Sequence, residues 1–112
     1  MDKEEIGPKL AAVMDVVSVC EGLIYAKTSG EIIIGQTLLE MEHGPIAKSV
    51  AQMFEIKIEA AQKGNLVDLT IGLEEGQLIA VKKDETMVIG ILGSDGKSSV
   101  GLLLRQLKNI MK

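Results

Sequence analysis

The stretch from Gly44 to Lys63 constrains this chain more than any other. It reads as one helix, with Pro45 in its first turn and Gly64-Asn65 at its C-terminal cap. At about 100° per residue, Ile46, Ala47, Val50, Ala51, Met53, Phe54, Ile58, Ala60 and Ala61 fill an arc of roughly 180°. A surface helix covers its own core with a stripe of about 100°. The surplus calls for a second apolar partner, and another copy of the same chain is the simplest one. The predicted seam is Ile46, Val50, Met53, Phe54, Lys57 and Ala61, together with Val67, Leu69 and Ile71 of the alternating segment that follows. Lys57 lies near the middle of the arc. It reads either as a lysine whose stem lies on apolar surface, or as a charge that sets pairing register.

Composition narrows the class. A chain of 112 residues suits one domain with one packed core, so residues 1–112 are expected to form a single unit. With 46% apolar and 25% charged residues, the chain falls among globular proteins rather than disordered ones. Tyr25 and Phe54 are the only aromatics, so the core must be built from Ile, Leu, Val and Met. A formal charge of −4 with scattered lysines argues against nucleic acid, which is gripped by clustered cations and stacked on aromatics. No apolar run approaches the ~20 residues that cross a bilayer. The acidic start Met1-Asp2-Lys3-Glu4-Glu5 lacks the basic-then-apolar pattern of a signal peptide. Cys20, without a partner cysteine, fits a reducing cytoplasm.

The pattern along the chain predicts α-β-β-α-β-β-β-α. The first helix runs from Pro8, a residue suited to the first helical position, to about Val19. Strands follow at Glu21–Ala26 and Ile32–Ile34, joined by a tight turn at Thr28-Ser29-Gly30 where glycine supplies positive φ. After the wide helix, Leu66–Leu73 alternates, with Val67, Leu69, Ile71 and Leu73 on one face. Gln77–Val81 and Met87–Leu92 complete the set, the last apolar nearly throughout and so buried on both faces. From Ser98 a final helix places Val100, Leu103, Leu104, Leu107, Ile110 and Met111 on one side. The expected fold is α+β: a five-stranded antiparallel sheet with helices on its faces.

Groups able to do chemistry are sparse. Gly90-Ile91-Leu92-Gly93-Ser94-Asp95-Gly96-Lys97-Ser98 follows a strand and opens a helix, as a phosphate-binding loop does. That loop needs glycine four residues before its Gly-Lys-Ser, and Ile91 occupies the place. The segment therefore reads as a connection with Ser94 or Asp95 near a helix N-cap. His43 has no second histidine or cysteine at metal-ligand spacing and reads as a solvent-exposed residue near a helix start. Cys20 reads as a small buried hydrophobe. Glu40, Glu42, Glu74, Glu75, Asp84 and Glu85 fall in turns and connections. Arg105, the sole arginine, lies on the polar side of the last helix and reads as a surface residue rather than an arginine finger supplied in trans. No catalytic residue, metal site or cofactor is expected, and the chain reads as a non-enzyme.

Gly22-Leu23-Ile24-Tyr25-Ala26-Lys27-Thr28-Ser29-Gly30-Glu31-Ile32-Ile33 resembles the first hairpin of the roadblock family, the group of roadblock-type dynein light chains and of bacterial and archaeal regulators of Ras-like GTPases. The long helix leading through Gly64-Asn65 into an alternating strand is similar too. So is Met87–Leu92 followed by Val100-Gly101-Leu102-Leu103-Leu104-Arg105-Gln106-Leu107. The likeness spans about Leu10 to Lys108 and implies a roadblock/longin-like sandwich. It also implies dimers formed through the middle helices and third strands, and action by binding small GTPases or as scaffold subunits. The stretch Asp95-Gly96-Lys97-Ser98-Ser99 departs from the family's short polar connection. The leading expectation is thus a non-catalytic, cytoplasmic homodimer that binds a Ras-like small GTPase. The alternatives are a scaffold subunit of a larger complex, a small-ligand sensor, or a nucleotide-binding enzyme using the Gly93–Ser98 loop. A sensor needs convergent polar groups in its core, which this sequence lacks.

Overall fold

Asp2 starts the first helix. In a computed structural model describing residues 1–112, its side chain accepts a 2.9 Å hydrogen bond from the Glu5 backbone N–H. Helix α1 (Lys3–Val16) follows, with Glu4 and Glu5 in its first turn, where acidic side chains complement the helix dipole. The helix begins five residues before the expected start. Pro8 lies within it, where its missing N–H removes one hydrogen bond to the preceding turn. Ile6, Leu10 and Val13 form the buried face.

Five strands follow: β1 (Cys20–Lys27), β2 (Ile32–Thr37), β3 (Asp68–Leu73), β4 (Gly76–Lys83) and β5 (Thr86–Gly93). They pair antiparallel in the order β2-β1-β5-β4-β3, which leaves β2 and β3 as edges. The β1–β2 turn depends on Gly30, whose φ of 96° is open to glycine at no steric cost. Central β5 is buried on both faces, as its continuous apolar run predicts. Its Val88 and Leu92 enter one core cluster, and Met87, Ile89 and Ile91 the other.

Those clusters define the layers. On one face, α1 and α3 (Val100–Ile110) pack over Leu23, Tyr25, Ile79, Val81 and Val88. Gly90 admits α3 closely, since a Cβ there would stand 2.7 Å from Leu103 Cδ2. On the other face, α2 (His43–Phe54) sets Ala47, Val50, Ala51 and Phe54 against Ile24, Ala26, Ala80 and Ile89. The core is aliphatic apart from the two buried aromatics. The Lys82 ammonium lies 5.8 Å above the Phe54 ring, a cation–π contact at the layer's rim.

Three expectations need correction. Helix α2 ends at Phe54, not Lys63. Glu59–Ala61 forms one 3-10 turn, closed by Gln62 in the left-handed region. Residues 55–63 are exposed throughout, so further helical turns would gain no tertiary burial, and Ile56 and Ile58 are weak helix formers. Lys57, Ile58, Ala60 and Ala61 therefore do not extend the apolar arc of α2. Second, Ser94–Ser99 winds into a 3-10 helix, and α3 starts at Val100 with no side-chain cap from Ser94 or Asp95. Third, His43 is half-buried as the first residue of α2, with Nε2 3.0 Å from Thr37 Oγ1. Its ring lies against Gly35, where any Cβ would collide with it.

Candidate functional site

Helix α2 lies over β1 and β2, so the same face of the sheet thins out toward β3. The ladder Leu69↔Ala80 and Ile71↔Leu78 puts Leu69 and Ile71 on the α2 side, because Ala80 and Leu78 belong to that cluster. Both are half-buried, and Leu73, next on the same face, is more than half exposed. The outer backbone of β3 has no strand beside it. Val67, Ile56 and Ile58, each more than half exposed, add apolar surface from the preceding connection. An uncovered apolar edge of this kind invites pairing with another chain.

The nine residues expected at the seam occupy different places. Ile46 and Met53 are half-buried on α2, and Leu69 and Ile71 half-buried on β3. Val67 precedes β3, yet its carbonyl accepts a 2.9 Å bond from Lys82 N and so prolongs the ladder. Val50 and Phe54 are buried against the sheet within the chain. Lys57 is exposed in the connection and donates a 2.9 Å hydrogen bond to Asn65 Oδ1, which ties that connection together. Ala61 is exposed in the 3-10 turn. Leu66 and Leu78, outside the expected seam, pack partly against the same cluster, and Leu73 continues the face of Leu69 and Ile71. Strand alternation carries the signal of Leu73, whereas Leu66, one residue from Val67, falls on the other side of that alternation and owes its place to the fold.

The phosphate-loop look-alike has a different architecture. Its 3-10 winding commits backbone N–H groups to i−3 carbonyls rather than to an anion, as the Val100 N–H bond to Lys97 O shows. Gly96 is buried on Leu92, and the Glu21 carboxylate covers Gly93. Ser94 and Lys97 border an open cleft of about 570 Å³ whose other walls include Thr70, Gly72, Glu74 and Gln77. No group of three or more His, Cys, Asp or Glu side chains is placed to hold a metal ion. No helix is long and apolar enough to cross a membrane.

Cys20 is buried at the start of β1, its thiol 3.3 Å from the Gly22 carbonyl it donates to. Burial pushes the thiol's pKa up, which disfavours the thiolate that reacts. Its modification by a thiol reagent should therefore run at least about 100-fold slower in the native protein than in denaturant, following the opening of the fold. Comparable rates in the two conditions would contradict the burial.

No protein-family model and no curated protein sequence matches the chain. Solved structures do match. The roadblock/LC7 domain from Streptomyces avermitilis superposes with a TM-score of 0.76 at 10% identity, over 92% of this chain and 88% of that one. Myxococcus xanthus MglB gives 0.79 at 8% identity, over 95% and 84%. Profilin II of Acanthamoeba castellanii gives 0.62 at 8% identity, over 91% and 93%. The chain has the roadblock fold, and at such identities the likeness concerns fold alone.

Proposed function

We propose that this chain is a homodimeric adaptor that acts by binding a Ras-like small GTPase, without catalysis of its own. The observation that carries this reading is the uncovered apolar edge at β3, found in a chain whose first hairpin and last strand and helix resemble those of the roadblock family. Two copies placed edge to edge would continue the sheet and cover Leu69, Ile71, Leu73 and Val67. A GTPase would then meet a surface built from two chains. Its switch loops are ordered by the γ-phosphate, so an adaptor acts on it through unequal affinity for its two nucleotide states.

The test has two stages. Sedimentation at micromolar concentration should give twice the chain mass for the wild type. Val67→Glu combined with Leu73→Glu alters only side chains already mostly exposed, so the fold should survive. Repulsion and desolvation at the seam should raise the dimer dissociation constant by about tenfold or more. The small GTPases of the source organism, loaded with GDP or with a GTP analogue, are then tested for binding to the dimer. A wild-type monomer removes the dimer, and equal or absent binding in both states removes the GTPase reading.

A further inference from the structure

The chain's charge is unevenly placed. Overall 16 acidic residues outnumber 12 basic ones, yet from Ser94 to Lys112 only Asp95 opposes Lys97, Arg105, Lys108 and Lys112. Arg105, Lys108 and Lys112 share the outward side of α3, with Gly101 one turn before Arg105. Together with Leu104 and Asn109 they line a shallow groove of about 400 Å³. Gly101 opens a notch in it, since no atom lies within 4 Å of the place a Cβ would take. Lys108 is bonded to Asp68 at 3.2 Å, whereas Arg105 and Lys112 have no carboxylate in salt-bridge range.

A surface of opposite character joins β2 to α2. Leu38 is 71% exposed and Leu39 58%, and Glu40 and Glu42 beside them are exposed with no cation in range. The loop is anchored at both ends, by Leu38 N to Glu21 O at 2.8 Å and by the Thr37–His43 bond. Two leucines held out to solvent just before two carboxylates match a basic groove with an apolar notch.

We infer that the Leu38–Glu42 loop of one copy docks on the α3 groove of another. A leucine enters the notch over Gly101 while Glu40 and Glu42 face Arg105 and Lys112. One chain cannot make this contact with itself. The loop leaves edge strand β2, while α3 reaches the opposite edge through Lys108 and Asp68, about 19 Å away across four strand spacings. The contact joins unlike surfaces, so it generates a ring or an open chain of copies. Its charged partners, Glu40, Glu42, Arg105 and Lys112, all lie outside α2 and β3, so exchanging them leaves the residues of the proposed dimer seam unchanged.

Sedimentation of the full chain at about 50 mM and about 500 mM salt tests the contact, because screening weakens exposed ion pairs. The wild type should show, at low salt, concentration-dependent species larger than the unit present at high salt. Glu40→Lys with Glu42→Lys, and separately Arg105→Glu with Lys112→Glu, should each lower that association at least tenfold. Mixed together, the two variants should restore it, since each supplies the charge the other has lost. Circular dichroism confirms that both remain folded, as expected for exposed positions. The contact is overturned if the wild type shows no larger species, if either variant alone retains them, or if the mixture fails to recover them; the last result, with both variants defective, would mean that the loop and the groove each meet a different part of the neighbouring copy. Val67→Glu with Leu73→Glu should leave the contact intact, so its failure and that of the proposed dimer are separable.

Discussion

Val50→Glu is expected to cost the fold about 5 kcal/mol or more, a large part of the stability of a domain this size. Val50 is fully buried between α2 and the sheet, among Ile24, Ala26 and Ile89. A carboxylate there has no cation beside it in that apolar cluster and loses its water. Such burial costs about 4 kcal/mol or more, on top of roughly 1.5 kcal/mol of lost apolar burial. A domain of this size has about 5–15 kcal/mol in total. Ser49→Glu, one residue away and exposed, should change stability by no more than about 0.5 kcal/mol. Thermal unfolding followed by circular dichroism distinguishes the two, and similar melting curves would refute the placement of Val50. A charge at this position reports on folding, not on association between copies.

Gly76→Ala should cost about 2–3 kcal/mol. A Cβ on Gly76 would run into the Leu92 carbonyl oxygen, which is backbone and cannot rotate away as a side chain can. Relief requires β4 and β5 to separate where Gly76 pairs with Gly93, at the end of their ladder. Gly72, near it on β3, has open space where its Cβ would lie. Gly72→Ala should therefore be neutral, or stabilising by about 0.5 kcal/mol through the unfolded chain. Denaturant titration should show midpoints well apart, with Gly76→Ala lower. Coincident midpoints would mean that the β4–β5 ladder yields more freely than its packing implies.

Element types were legible in the sequence because periodicity and turn chemistry agree along most of its length. The unbroken run Met87–Leu92 identified a strand buried on both faces, and Thr28-Ser29-Gly30 marked a turn where positive φ is used. The end of α2 was not legible. Ile58, Ala60 and Ala61 continue the helical arc by angle, while Gly64 offers a cap, so periodicity alone runs past Phe54. What stops the helix is tertiary: none of residues 55–63 is buried. The start of α1 did carry a local sign, since Asp2-Lys3-Glu4-Glu5 has the spacing of a capping box and Asp2 caps Glu5. Pro8, equally suited to a first helical position, offers a competing start. At the candidate edge, strand alternation identified Leu69 and Ile71, whereas the pattern could not tell that α2 turns Val50 and Phe54 wholly inward. Which side of a helix a sheet takes up depends on contacts distant in sequence.

The strand order has a consequence for how the chain reaches its native state. Strand β5 sits between β4, its neighbour in sequence, and β1, whose Cys20 pairs with Leu92 and whose Lys27 pairs with Thr86. The β1–β2 and β3–β4–β5 hairpins can each form locally, on the microsecond scale of isolated hairpins. Joining them requires closure of a long intervening loop, an entropic cost that precedes any gain from the central ladder. Until that closure, one edge of the most apolar strand in the chain has no partner. Nascent or heated protein would expose it to the same edge on other molecules, making aggregation the competitor of folding at this step. The β1–β5 ladder is thus both the sheet's one pairing between strands distant in sequence and the one that removes the most adhesive edge from solution.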